Sequence, residues 1–188
     1  MKKPFLYGAI AGGIGILLHV IMRLIDPKLI IGSNMFLTFL VGFGVPLTLM
    51  ILAGLDQRKR QNGRLPYGEA LKTVFIVFVV FSLINTIYMG LFYNVFNPTF
   101  FADHKQEYLD IQREGAVKGM RWTGASESDI LEMQDKLDLE SQYDRLVNMS
   151  TSFGGLALSF FMGTMMGLLL SLLAALVVKR NPPSIKAD

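Results

Sequence analysis

His19 and Arg23 stand four residues apart near the end of the first long apolar run of the chain, and Asp26 follows them. On a helix this spacing puts both side chains on one face, with Asp26 within reach of Arg23. Two chemistries fit. One is a pH-sensitive or anion-attracting site. The other, which we expect, is an interfacial cluster with a snorkelling arginine and a hydrogen-bonded histidine. Asn85 is the deepest strongly polar group of the third apolar run, with Ser82 and Thr86 beside it and Tyr88 following. An amide in hydrocarbon needs partners, so Asn85 is expected to face another helix, where an interhelical bond contributes about 0.6–2 kcal/mol. Its alternative role is to line a polar cavity. His104 stands among Asp103, Glu107 and Asp110 at helical spacings. That arrangement suits either a weak divalent-cation site or a solvated helix face, and the solvated face is the expectation.

Other chemistries are missing from the chain. There is no zincin, nucleophile-elbow or P-loop motif, and the GGIG of Gly12–Gly15 lies inside an apolar run, in no nucleotide-binding context. The absence of cysteine excludes disulfides, thiolate metal sites and cysteine nucleophiles. No carboxylate lies within the apolar runs, which argues against a proton-coupled exporter. We therefore expect no enzyme activity, no cofactor and no bound metal.

The elements that must position these residues are four apolar runs. About 20 apolar residues cross a hydrocarbon core as helix. Phe5–Ile25, Met35–Leu55, Thr73–Phe96 and Phe153–Val178 all qualify, and none contains Asp, Glu or Lys. The chain of 188 residues is 52% hydrophobic and only 18% charged, below the roughly 25% typical of soluble domains. The fold expected is all-α: a single domain made of a four-helix membrane bundle. The first run is long and lacks a small-x-small cleavage site, so it is expected to stay as an anchor. The lipid bilayer is the first partner implied. The basic residues flank the spans instead of clustering on a folded surface, so no nucleic acid is expected.

Lysine and arginine set the threading. With the N-terminus inside, the inner segments carry ten basic and three acidic residues, and the outer ones eight basic and twelve acidic. The densest cluster, DQRKRQNGR, lies between spans two and three. Both termini are then expected in the cytoplasm, with residues 97–150 outside. That outer insertion holds eleven acidic and six basic residues. It is expected to form a hairpin of two helices. The first covers about 101–118. The second opens at GASESDIL with a Ser126–Asp129 capping box. Ile130, Met133, Leu137, Tyr143 and Leu146 then give an apolar stripe at helical spacing. Its expected cover is the other loop helix or the outer ends of the spans. A partner protein is a second candidate, and lipid headgroups, with Trp122 and Tyr108 as anchors, are a third.

The order of features resembles the bacterial family of integral membrane proteins catalogued as domain of unknown function 4199. The likeness rests on YGAIAGGIGILL, GRLPYGEALKTVF at Gly63–Phe75, YNVFNPTF at Tyr93–Phe100, GASESDILEMQDKL at Gly124–Leu137 and a last span rich in small residues. It implies four helices and a place in the inner membrane, and it implies no activity. Two functions remain in view. One is a non-enzymatic structural or accessory subunit whose outer loop contacts a membrane or extracytoplasmic partner. The other is a small-solute transporter or channel assembled as a homo-oligomer.

Two features concern packing. Gly42, Gly44 and Pro46 crowd the second span, where a proline makes either a hinge or a packing bend. In the last span a small residue returns every fourth position: Gly155, Ser159, Gly163, Gly167, Ser171 and Ala175. Small-x-x-x-small rows let helix backbones approach closely. Gly8 with Gly12, and Ala11 with Gly15, form matching pairs in span one, so spans one and four are expected to pack together. The rest of the row is left for another helix or a second subunit.

Overall fold

The computed structural model describes residues 2–29 and 40–180. The first span is α1, Lys2–Ile25, followed by a short 3-10 turn at Pro27–Leu29. The second enters through a π-helical turn at Leu40–Gly44 and continues as α2, Val45–Arg60. The third is α3, Tyr67–Leu91, extended by a π turn at Phe92–Phe96. The insertion between the third and last spans holds α4 (Phe100–Asp103), α5 (Lys105–Trp122), α6 (Glu127–Lys136) and α7 (Leu139–Thr151). The last span is α8, Phe153–Val178. Four of these helices are long and apolar enough to cross a membrane, and the fold is an all-α membrane helical bundle.

The expected boundaries need adjustment. Residues 35–39, where the second span was expected to open, lie outside the described residues, and the helix runs on to Arg60. The third begins at Tyr67, well before Thr73, because Pro66 supplies the extended entry that a helix start accepts. Pro46 sits in the first turn of α2, directly after the π turn, so its missing N–H falls where the backbone bonding changes from π to α. The insertion is not a hairpin of two helices. Its second half splits at Asp138, whose carboxylate accepts from the Ser141 N–H at 3.0 Å and opens a new helix. The expected Ser126–Asp129 capping box is present. The Ser126 N–H donates to Asp129 Oδ2 at 3.2 Å, and the Asp129 N–H to Ser126 Oγ at 3.3 Å.

The third span is the post of the bundle, with α1, α2 and α8 all packed against it. The expected pairing of spans one and four does not occur, since α3 stands between them. On α1, a Cβ placed on Gly8 would lie 2.6 Å from Val80 Cβ, and one on Gly12 would lie 2.8 Å from Ile84 Cγ2. On α8, a Cβ on Gly167 would run into the Phe78 ring, and one on Gly163 would lie 3.5 Å from Ser82 Oγ. Both small-residue rows thus receive large side chains of the same helix, on two of its faces. Gly155 has another duty. A Cβ there would meet the Asn148 carbonyl, so glycine allows the tight corner from α7 into α8, and Ser152 caps that corner by accepting from the Gly155 N–H at 2.9 Å. Ser171 is fully buried and donates to the Gly167 carbonyl of its own helix at 2.6 Å. Ser159 Oγ reaches back to the Met149 carbonyl at 3.4 Å.

The end of the bundle carrying both described termini is tied by backbone. Leu65 and Arg180 exchange N–H···O bonds of 3.0 and 2.9 Å, and Leu65 is fully buried. Arg58 donates to the last-turn carbonyl of Val178 at 3.4 Å, satisfying an acceptor that the helix end leaves open.

The Phe78 contact sets a stability test. Gly167→Ala should destabilise the fold by about 1–3 kcal/mol through overpacking, measured by steric-trap unfolding in bicelles. Gly154→Ala, with nothing within 4 Å of its Cβ, should change it by less than about 0.5 kcal/mol.

Candidate functional site

The spans place His19 and Asn85 on one seam. Spans one and three run parallel, so Gly8, Gly12 and Gly15 meet Val80, Ile84 and Asn85 in order. One and two turns further on, His19 and Arg23 meet Tyr88 and Phe92. Glycine allows close approach along the lower half of the seam, and aromatic rings fill the upper half. His19 is 6% exposed, with Nδ1 3.0 Å from the Tyr88 hydroxyl. Its ring stands edge-on to Tyr88 and Phe92, with centroids 5.4 and 5.0 Å away. The Arg23 guanidinium lies 4.9 Å from the Phe92 ring centre, a cation–π contact with apolar walls around it. Asn85 does not bond a neighbouring helix. Its Nδ2 donates to the Phe81 carbonyl one turn back at 2.9 Å, and a Cβ on Gly15 would lie 2.9 Å from its Oδ1. The amide thus satisfies its donor within its own helix.

A cavity of about 530 Å³ lies beside this seam, between spans two, three and four, with Ser82, Asn85, Thr86 and Tyr93 on its α3 wall. Phe43, Phe78, Met162 and Met166 supply apolar surface. Above it, a smaller chamber of about 250 Å³ is walled by Tyr93, Phe100, Phe101, Tyr108 and Tyr143. Tyr93 and Ser150 line both spaces. The chamber comes from the aromatic run Tyr93–Phe101, whose density was legible, folded against α5 and α7. Burial pushes the Tyr108 and Tyr143 phenols above their ordinary range. Tyr143 donates to the Phe101 carbonyl at 2.5 Å. Lys105 caps this wall over the Tyr143 ring, and its bond to Glu140 at 2.5 Å raises the ammonium above the ordinary lysine range. The expected apolar stripe therefore divides. Leu139 and Tyr143 are buried with Leu109 against Phe101 and Tyr108, while Met133 stays outside.

His104 turns into the chamber. It stacks on Phe100 with ring centres 4.6 Å apart, and its Nδ1 lies 2.8 Å from the Phe100 carbonyl. The acids around it take other partners, Asp103 accepting from Thr99 Oγ1 at 2.7 Å and Asp110 from Gln106 at 3.3 Å. Among the described residues no group of three His, Cys, Asp or Glu side chains is placed to hold a metal ion.

At the far end of the insertion α6 packs on α5, burying Ile130. Trp122 is 92% exposed there, Leu131 63% and Met133 52%. Charged side chains of both signs lie on the same helices, Glu127 paired with Arg121 at 3.2 Å and Glu132 with Lys136 at 2.5 Å.

Four apolar helices, three of them packed on the central third, with an acidic helical insertion between the third and the last, define a multi-pass membrane protein. The chain belongs to the family described as protein of unknown function DUF4199, whose model matches residues 6–180. No curated protein and no solved structure matches it.

Two measurements check this geometry. A double-mutant cycle over His19→Phe and Tyr88→Phe should give a coupling of about 0.6–1.7 kcal/mol in unfolding, and zero coupling would mean the bond contributes nothing. The second concerns Asp129, whose hydrogen bonds from Ser126 hold its carboxyl below the ordinary aspartate value. A depressed folded-state value means the cap is complete above the unfolded value and is lost as pH falls through the folded one. Amide exchange over 127–130, corrected for its intrinsic pH dependence, should rise on that descent. Asp129→Ala should remove the pH dependence.

Proposed function

We propose that the protein is a non-enzymatic accessory subunit of the bacterial inner membrane, with both termini cytoplasmic, whose outer helical insertion docks a partner protein. The observation carrying this reading is that large apolar side chains stand exposed on the part of the insertion beyond the aromatic chamber: Trp122 above all, with Leu131 and Met133 on opposite flanks of α6. Large apolar side chains standing in water within a charged rim are a common mark of interaction surfaces. The net negative charge of the insertion, eleven acidic against six basic residues, suits a basic partner face and disfavours anionic lipid headgroups. The charge bias of the segments supports the orientation: net +7 on the side of the termini against −4 on the side of the insertion.

The alternative, an oligomeric small-solute transporter or channel, draws on the 530 Å³ cavity at membrane depth. Against it stands the lack of any Asp or Glu within the four runs first read from the sequence. Solute flux through the purified protein in liposomes would replace the accessory reading.

The docking reading is tested with a photoreactive phenylalanine at position 122 in living cells. A discrete protein adduct is expected there, and its yield should fall at least fivefold with Leu131→Asp and Met133→Asp together. The same probe at lipid-facing Phe161 should give none. Equal yields at 122 and 161, or no adduct at 122, would overturn it.

A further inference from the structure

Ser82 and Thr86 on α3, and Tyr93 in the π turn that extends it, lie along one side of the third span. At about 100° per residue, Ser82 and Thr86 fall within some 40° of each other, on the side turned to α8. All three line the cavity between spans two, three and four. None of their hydroxyls has a hydrogen-bond partner among the described residues. In hydrocarbon an unmade hydrogen bond is costly, and neighbouring helices normally supply the partner. The α8 residue opposite Ser82 is Gly163, which has no side chain to fill the groove; a Cβ there would come into ordinary contact with Ser82 Oγ at 3.5 Å. The hydroxyls of Thr86 and Tyr93 line the cavity beyond that contact.

The space has the chemistry of an amphiphile site. Its volume of about 530 Å³ falls within the roughly 300–1,000 Å³ of small-molecule pockets. Among the described residues, no Asp, Glu, Lys, Arg or His lines it. A charged head would therefore enter with no counter-ion, at a desolvation cost of several kcal/mol. Met162 and Met166, both about half exposed, form the side of the cavity toward the bilayer, and flexible thioether side chains accommodate an entering chain.

We propose that this cavity holds a single neutral membrane amphiphile. Its uncharged hydroxyl or carbonyl head takes hydrogen bonds from Thr86 and Tyr93, and its apolar tail runs past Ser82 to lie against Phe78, Met162 and Met166. The site stands independently of the docking surface, because it belongs to the spans and not to the insertion.

The test uses the full chain in detergent, delipidated, with Trp122→Phe removing the single tryptophan and Phe43→Trp placing a reporter on the cavity wall. Two probes share one tail, 9,10-dibromostearyl alcohol and 9,10-dibromostearate, and bromine quenches a tryptophan it touches. Saturable quenching by the alcohol is expected at concentrations at least tenfold below those needed for the carboxylate. Thr86→Val with Tyr93→Phe keeps the shape of the wall and should weaken the alcohol about three- to tenfold per hydroxyl removed. Gly163→Leu should abolish saturation by filling the space. Equal quenching by both probes, unsaturable quenching, or unchanged affinity in the hydroxyl variants would overturn the proposal in favour of bulk partitioning or of water as the occupant.

Discussion

Close approach of helix backbones to the third span is the constraint on which everything else in this molecule rests. Lipid tails are as apolar as leucine, so helices in a membrane gain little by hiding apolar surface from each other and associate through dense packing. Glycine supplies that density by removing the side chain that would hold two backbones apart. Here Gly8 and Gly12 bring α1 onto Val80 and Ile84, and Gly167 receives the ring of Phe78. A third contact, Gly54 against Val178, closes α2 on α8. The lipid-facing surface is left to large residues such as Leu17, Phe161 and Leu173.

That arrangement also creates the polar features. Where α8 meets the third span, glycine at position 163 leaves a cavity lined by Ser82, Thr86 and Tyr93. On the α1 side the glycine row runs out at Gly15, and the side chains that continue it are His19 and Arg23. The widening gap takes rings, so His19 lies between Tyr88 and Phe92, and Arg23 over Phe92. The histidine and arginine are therefore structural neighbours of the aromatic crown, joined to it by rings as much as by hydrogen bonds.

The sequence made the spans legible because a hydrocarbon core needs length and apolarity, and both are local properties. The same holds for the Ser126–Asp129 cap, which involves residues three apart. The partner of the small-residue rows was not legible. A glycine row describes one surface and says nothing of what enters it, and the receiving positions, Phe78, Val80 and Ile84, bear no small-residue signature of their own. Asn85 misled for a related reason: an amide's need for a partner is certain, but the Phe81 carbonyl one turn back competes with any neighbouring helix. The split at Asp138 was open to reading, since an Asp three residues before Ser141 has the spacing of a cap, yet the continuing apolar stripe masked it. The hydroxyls at 82 and 86 have a helical spacing, but their meaning depends on where other helices dock.

The central claim, that spans one and four each dock on span three and not on each other, is tested most directly by disulfide trapping. The chain has no cysteine of its own, so introduced pairs report without background. Gly12→Cys with Ile84→Cys, and Ser82→Cys with Gly163→Cys, should crosslink in native membranes under mild oxidation, because bridging requires Cβ atoms within about 4.5 Å. Gly12→Cys with Gly163→Cys should remain uncrosslinked. Efficient crosslinking of that last pair, with the first two silent, would contradict the account.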